Sequence, residues 1–229
     1  MGLGVIWRQV RASFANSAGT IVFGMEDGTV SIFGLIFGVA ATTDDPKTVL
    51  IAGASGAAAA AVSMMAGAYL DVETTRDEVK ARETTPAGAA DEIASLAGRL
   101  NAVGLTPAQS QAVAAAVRAD PAAVDDLLLA LDGASAKSLN PTEQALWMLA
   151  ADFLAAAVPI LPFVFLPIQQ ARFVSGAVTI ALLVGLGVGR AKIANRSAVR
   201  TVLETVSIGV AAALAGVGIG VAIDRFFVH

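Results

Sequence analysis

Apolar residues run through this chain in five long stretches, separated by short polar loops and by one long polar segment. A helix that crosses a membrane needs about 20 mostly apolar residues. Five segments meet this requirement, at residues 20–43, 48–70, 143–166, 171–190 and 202–224. The pattern predicts an all-α integral membrane protein with five transmembrane helices.

The long polar segment lies between the second and third apolar stretches. Residues 71–140 are polar and rich in alanine, and Thr106-Pro107 places a capping residue before a proline at the first position of a helix. We therefore predict a small cytoplasmic helical domain between helices two and three. It begins as an extension of the second transmembrane helix and continues with helices at about 88–102, 107–118 and 121–132.

These patterns divide the chain into four regions. Residues 1–18 form an amphipathic cytoplasmic helix, with Trp7 placed to sit at the membrane surface. Residues 19–70 hold transmembrane helices one and two, residues 71–140 the cytoplasmic helical domain, and residues 141–229 transmembrane helices three to five.

Lysine and arginine set the expected orientation, because cytoplasmic loops carry an excess of both. Nine of them lie close to the ends of the spans on one side of the predicted bundle: Arg8, Arg11, Arg76, Lys80, Arg82, Arg190, Lys192, Arg196 and Arg200. The other side has Lys47, Arg172 and Arg225. The N-terminus is therefore expected in the cytoplasm and the C-terminus outside the cell or in a lumen.

Composition excludes several classes of site. The chain has 229 residues and is 56% hydrophobic, with a mean hydropathy of +0.71, which favours a membrane protein with the lipid bilayer as a partner. It has no cysteine, and its single histidine is His229. Thiolate chemistry and histidine-based sites are thereby excluded, so neither an enzyme nor a bound cofactor is expected. The net charge of −4 indicates no nucleic-acid partner.

Two adjacent acids, Glu26 and Asp27, lie within the first apolar stretch. A helix that began after them would keep only residues 28–41, which is too short to cross, so both acids belong within the membrane or at its inner rim. Ionised carboxylates in a bilayer are costly and usually functional. Asp27 is therefore a candidate metal ligand; the alternative is an interfacial acid that caps the helix. Glu26 points about 100° away from Asp27 on a helix, so the two cannot face one pore equally.

A methionine pair, Met64 and Met65, lies late in the second apolar stretch. Carboxylate oxygen from the first helix and thioether sulphur from the second would suit a transition metal such as ferrous iron better than magnesium or calcium. Methionine is also a common filler of apolar helices, and that alternative stays open.

Several segments resemble the vacuolar iron transporter family. DGTVSIFGLIFGVA and AGASGAAAAAVSMMAGAYLDV resemble the first two helices of that family, which carry Asp-Gly early in helix one and Ser-Met-x-x-Gly-x-Tyr-Leu late in helix two. VPILPFVF resembles its third helix, and GRAKIANRSAVRTVLETVSIGVAAALAGVGIGVAI its last two. The resemblance implies export of a divalent metal from the cytoplasm, ferrous iron first and manganese second, by exchange for protons. It places Asp27 and Met64 at metal-binding positions.

The chain departs from this family one turn after Met64. The family usually has glutamate where this chain has Ala68, and Asp71, three residues on, is a candidate replacement on nearly the same helical face.

In the family, glutamates on the cytoplasmic domain gather metal before transport. The corresponding candidates here are Glu73, Asp77, Glu78, Glu83, Asp91 and Glu92. The alternative is an ordinary solvated helical surface.

The resemblance also implies a homodimer whose ion route runs along the subunit interface. Gly34-x-x-x-Gly38 has the spacing that lets membrane helices approach closely, so we predict helix one at the seam. Elsewhere, Pro159 and Pro162 predict a kink in helix three, and Glu204 has a structural partner in Arg200 one turn earlier.

The resulting hypothesis is a divalent-metal transporter in a bacterial plasma membrane, with a vacuolar membrane as the alternative location. A different class stays open: a non-transporting membrane protein that keeps the transporter scaffold with a degenerate metal-loading domain. A transporter of an organic solute is a third possibility, and it would need a polar pocket among the helices.

Overall fold

A computed structural model describes residues 3–84, 89–102, 104–118, 123, 127 and 140–227. Side chains are described for all of these except residues 3–6, 8, 9, 12, 78–84, 89–93 and 95. Every regular element in the described ranges is an α-helix. In chain order they are α1 Leu3–Asn16, α2 Ala18–Thr42, α3 Pro46–Thr84, α4 Ala89–Ala102, α5 Pro107–Val117, α6 Pro141–Ile160, α7 Pro162–Phe165, α8 Ile168–Ile193 and α9 Ala198–Phe227.

Five of these helices are long and apolar enough to cross a membrane: α2, α3, α6, α8 and α9. The all-α class and the five predicted spans are therefore confirmed. The third span was predicted to extend to residue 166, but α6 ends at Ile160 and the short helix α7 follows. Pro162 lacks the N–H that would continue the helical ladder, and the Ser175 hydroxyl donates a hydrogen bond to the Pro159 carbonyl at 2.7 Å. Pro162 leaves the Val158 carbonyl without its helical N–H partner, and the Pro159 carbonyl beside it bonds to a side chain of α8.

The chain divides into two compact units. One comprises Met1–Tyr69 with Pro141–His229, and the other comprises Leu70–Asn140. In the first unit, α2 packs against α6, α8 and α9. Its central residues Ile32, Ile36 and Ala40 belong to a buried apolar cluster completed by side chains from α3, α6, α7 and α8. The helix that carries Glu26 and Asp27 therefore lies at the centre of this unit.

The second half of α2 packs against α9 through glycines. A Cβ atom on Gly38 would lie 2.6 Å from the carbonyl oxygen of Gly216, and one on Gly34 would lie 2.9 Å from that of Ala212. Gly216 and Gly220 in turn lie directly against the carbonyls of Gly34 and Gly38. The structure thus uses Gly34-x-x-x-Gly38 for a contact inside one chain, which differs from the predicted seam between subunits.

Helix α1 is joined to α6 by polar contacts. The Trp147 indole N–H donates to the Ser13 hydroxyl at 2.8 Å, and Gln144 donates to the Ser17 hydroxyl at 2.9 Å. Phe14 packs edge-on against Trp147, with ring centroids 5.5 Å apart. The side chain of Trp7, which was expected at the membrane surface, is exposed.

The loop between α2 and α3 is held from both sides. The Arg172 guanidinium donates to the carbonyl of Ala40 and, at 3.0 Å, to that of Thr43. The Asp45 carboxylate caps α3, accepting bonds from the Thr48 hydroxyl and from the backbone N–H groups of Lys47 and Thr48. The hydrogen bond from Thr48 lowers the pKa of Asp45 below its usual value, because it stabilises the ionised form.

In the second unit, α4 and α5 pack around Leu96, Leu100 and Ala114. Thr106 caps α5 in a capping box with Gln109, as a Thr-Pro start implies. The helix predicted at 121–132 lies outside the described residues except at Ala123 and Leu127.

Candidate metal site in the membrane-spanning helices

Glu26 and Asp27 both lie well inside α2. Asp27 follows Ala18 by nine residues, which corresponds to about 14 Å along the helix. Both acids line a cavity of about 350 Å³, together with Arg190, Thr205 and apolar residues of α2, α8 and α9. Both acids thus line one cavity, and the expectation that they do not face it equally stays a prediction.

The two acids differ in their partners. Arg190 Nη1 lies 3.4 Å from Glu26 Oε2, and the Thr205 hydroxyl donates to Glu26 Oε1 at 3.0 Å. Glu26 is thus neutralised by a cation from α8 and fixed by a hydroxyl from α9. A metal ion that binds Glu26 must therefore compete with the Arg190 guanidinium for its carboxylate.

Asp27 has no such compensation. Among the described residues, no hydrogen bond or ion pair reaches its carboxylate, and the side chain is partly buried. An ionised carboxylate in this position is favourable only when a cation or a proton neutralises it. Asp27 is therefore the acid in the cavity that is available to a cation.

A third membrane carboxylate, Asp152, was missed in the sequence analysis. It lies on α6, eleven residues after Pro141 and about 16 Å along the helix. Its side chain is 0% exposed, and neither carboxylate oxygen has a hydrogen-bond partner among the described residues. The signal that singled out Asp27, an acid inside an apolar stretch, was equally present at Asp152.

Glycines of α2 make room for α6. A Cβ atom on Gly28 would lie 2.8 Å from Asp152 Oδ1, and one on Gly24 would lie 2.7 Å from Met148 Sδ. Gly24 and Gly28 are one helical turn apart, as are Met148 and Asp152, so α2 and α6 run in the same direction here. Asp152 consequently lies against the residue that directly follows Asp27.

Met64, the methionine expected at a metal-binding position, lies on α3 next to Met65. Met64 and Met65 are both partly buried, and neither belongs to the described residues that line the cavity of Glu26 and Asp27. Asp71, the candidate replacement for the acid missing at Ala68, is exposed. The structure does not place Met64 or Met65 among the residues that line the cavity with Asp27.

The acids predicted to gather metal lie in the second unit. Glu73 lies 3.8 Å from Arg76 on the same helix, and Asp77 is exposed. The side chains of Glu78, Glu83, Asp91 and Glu92 lie outside the described residues. Within the described part of the chain, His, Cys, Asp and Glu form no group of three or more that could hold a metal ion.

Comparisons with known proteins agree with the resemblance read from the sequence. The sequence model of the VIT family matches residues 18–221. A vacuolar iron transporter of Centaurea cyanus is 29% identical over 210 residues, covering 86% of this chain and 84% of that protein. Vacuolar iron transporter 2 of Oryza sativa subsp. japonica is 28% identical over 219 residues, covering 89% and 86%. Vacuolar iron transporter 1 of Arabidopsis thaliana is 27% identical over 203 residues, covering 85% and 81%.

Proposed function

The chain belongs to the VIT family, and we propose that it carries a divalent transition metal out of the cytoplasm in exchange for protons. Ferrous iron is the first candidate and manganese the second. The names of the similar plant proteins support iron, and five membrane-spanning helices support transport. The proposed metal is cargo that is bound and released, rather than a resident cofactor.

The observation that carries this proposal is the Asp27 carboxylate. It lies inside a membrane-spanning helix and lines a cavity, and no cationic side chain of the described residues is paired with it, whereas its neighbour Glu26 is paired with Arg190. A carboxylate can hold either a proton or a metal ion. Competition between these two occupants at Asp27 is the minimum that an exchange mechanism requires.

The proposed orientation follows from the charged loops. Arginine and lysine are enriched on the side of the N-terminus, which supports a cytoplasmic N-terminus and an outer or lumenal C-terminus. We propose a bacterial plasma membrane as the location, with a vacuolar membrane as the alternative. Cysteine scanning suits the topology test, since the native chain contains no cysteine. A cysteine at position 44 should react with an impermeant thiol reagent added outside cells, and a cysteine at position 197 should not.

The decisive experiment measures proton movement in vesicles after addition of ferrous iron, manganese or cobalt. Asp27→Asn keeps the shape of the side chain but removes its charge, so it should abolish metal-driven proton movement while leaving the protein folded. Met64→Ala should reduce transport less, because a neutral thioether contributes less to cation binding than a carboxylate. Asp44→Asn removes a charge from an exposed loop residue and should transport like the wild type.

The result also separates the proposal from its alternative. If the wild type moves neither metal nor protons, the chain is a non-transporting membrane protein on a transporter scaffold. If Asp27→Asn transports all three metals normally, Asp27 is an interfacial cap and the proposed route is wrong.

We further propose that acids following the second span collect metal before transport. Neutralising Glu73, Asp77 and Glu78 together should raise the apparent KM for metal and leave transport at saturating metal concentration. Asp71, Glu83, Asp91 and Glu92 are tested in the same way. Unchanged kinetics would favour an ordinary solvated surface, a reading that the pairing of Glu73 with Arg76 supports.

A homodimer is proposed as the working assembly, supported by the family resemblance. Gly34 and Gly38 pack against α9 within the chain, so we propose that the subunit interface uses other residues. Light scattering of the protein in mild detergent measures the mass directly. A monomer that still transports after reconstitution at one copy per vesicle would overturn the dimer.

A further inference from the structure

Asp152 is a buried carboxylate to which the proposed function assigns no role. Its side chain is fully buried in α6, and both of its oxygens lack a hydrogen-bond partner among the described residues. A buried carboxylate in this condition is strongly unfavourable unless a cation or a proton neutralises it. The Asp152 carboxylate therefore points to a bound cation or a proton that no described side chain of the protein supplies.

The position of Asp152 relates it to Asp27. Its Oδ1 atom and its backbone carbonyl lie directly against Gly28, the residue that follows Asp27. Asp27 and Asp152 therefore lie at the same level of two neighbouring helices, α2 and α6. No lysine or arginine of the described residues forms an ion pair with either carboxylate, since Arg190 is engaged by Glu26. Two uncompensated negative charges thus share one region of the bundle.

We propose that Asp152 and Asp27 together bind the transported divalent cation, each supplying one carboxylate. This inference rests on the proposed function and names the second protein ligand of its site. Two carboxylates match the double charge of the ion, and oxygen donors are suited to ferrous iron and manganese. Backbone carbonyls and water complete the coordination. Two protein ligands also suit a transported ion, because an ion that must be released cannot be fully enclosed by protein ligands.

The test measures equilibrium Mn²⁺ binding to the purified full chain in detergent, from the electron paramagnetic resonance signal of free Mn²⁺. Asp152→Asn removes the charge and keeps the shape, and should raise the Kd for Mn²⁺ by about 10- to 100-fold, as loss of a group that supports a metal site does. Without metal, the variant should unfold at a temperature no lower than the wild type, since an uncompensated buried acid has been removed. Saturating Mn²⁺ should raise the Tm of the wild type more than that of the variant.

Glu143→Gln is the matched control, because it removes one negative charge from the first turn of the same helix; its Kd should stay within twofold of the wild type. If Asp152→Asn fails to fold, Asp152→Ala provides the same comparison without a buried amide. Loss of binding in Asp27→Asn with wild-type binding in Asp152→Asn would overturn this inference and leave the proposed function intact. Absence of any Mn²⁺, Co²⁺ or Fe²⁺ binding by the wild type would instead overturn the proposed function.

Discussion

The two halves of α2 both approach neighbouring helices through glycines, yet the groups they meet are different. In residues 18–29, Gly24 lies against the Met148 side chain, and Gly28 lies against both the backbone carbonyl and the carboxylate of Asp152 on α6. In residues 30–42, Gly34 and Gly38 lie against the backbone of α9. The first contact includes a thioether and a carboxylate beside the backbone of α6, whereas the second brings two backbones together without a polar side chain and holds the bundle by packing.

The same two halves of α2 also differ in their charged residues. Residues 18–29 contain Glu26 and Asp27, and residues 30–42 contain no ionisable side chain. The contact between α2 and α6 is therefore where chemistry is proposed, and the contact between α2 and α9 is where the structure is held together. The spacing of glycines alone does not distinguish a proposed binding contact from a packing contact. The difference lies in the groups on the partner helix, which are a carboxylate on α6 and glycine backbone on α9.

The largest effect is expected from Gly28→Ala. The added methyl group would overlap the Asp152 carbonyl and lie 2.8 Å from its Oδ1 atom, so α6 must move. We expect a loss of about 1–3 kcal/mol in the free energy of unfolding, together with at least a tenfold rise in the Kd for Mn²⁺, roughly 1.4 kcal/mol. Denaturant unfolding and Mn²⁺ binding measure the two effects. Unchanged binding would place the metal away from this contact.

Gly38→Ala should affect stability alone. Its methyl group would lie 2.6 Å from the Gly216 carbonyl, and backbone cannot rotate aside as a side chain can. We expect a loss of about 1–3 kcal/mol in the free energy of unfolding. The folded fraction should bind Mn²⁺ with the Kd of the wild type. A large loss of Mn²⁺ affinity in Gly38→Ala would show that the two halves of α2 do not differ in function as proposed.

Glu26→Gln tests whether a paired acid differs from an unpaired one. Arg190 already neutralises Glu26, so vesicles with the variant should still move metal, with an apparent KM changed by at most about threefold, roughly 0.7 kcal/mol. The pair is partly exposed, and its loss should cost less than about 1 kcal/mol of stability. Transport as weak as that expected for Asp27→Asn would show that both acids carry the ion.

The smallest effect is expected from Gly24→Ala. Its methyl group would lie 2.7 Å from Met148 Sδ, the flexible end of a side chain that can move. The helical gain of about 0.5–1 kcal/mol from replacing glycine with alanine should offset most of this crowding. Gly185→Ala, at a glycine with open space around it, is the control and should show the full gain. A loss of stability in Gly24→Ala as large as that in Gly38→Ala would mean that Met148 cannot move.

Much of the fold could be predicted because it depends on local features of the chain. The five spans follow from the lengths of the apolar stretches, which the thickness of the bilayer requires. The Thr106 cap and the pairing of Arg200 with Glu204 at 3.1 Å depend on residues within one helical turn. The end of α6 at Ile160 also has a local cause in Pro162. The position of this end was nevertheless predicted wrongly, at residue 166. Prolines are tolerated in membrane helices wherever neighbours satisfy the freed backbone groups, so a proline alone does not mark the end of a helix.

The candidate site needed the tertiary structure. Asp27 could be singled out because an acid in an apolar stretch is conspicuous by itself, but the two partners of Glu26, Arg190 and Thr205, lie 164 and 179 residues away. The burial of Asp152 against Gly28 depends on how α2 and α6 are rotated about their axes, as does the engagement of Gly34 by α9. In a soluble protein an apolar stripe would indicate these rotations. Lipid is as apolar as the interior of a membrane bundle, so the sequence carries little of that pattern, and only packing decides which face of each helix meets another.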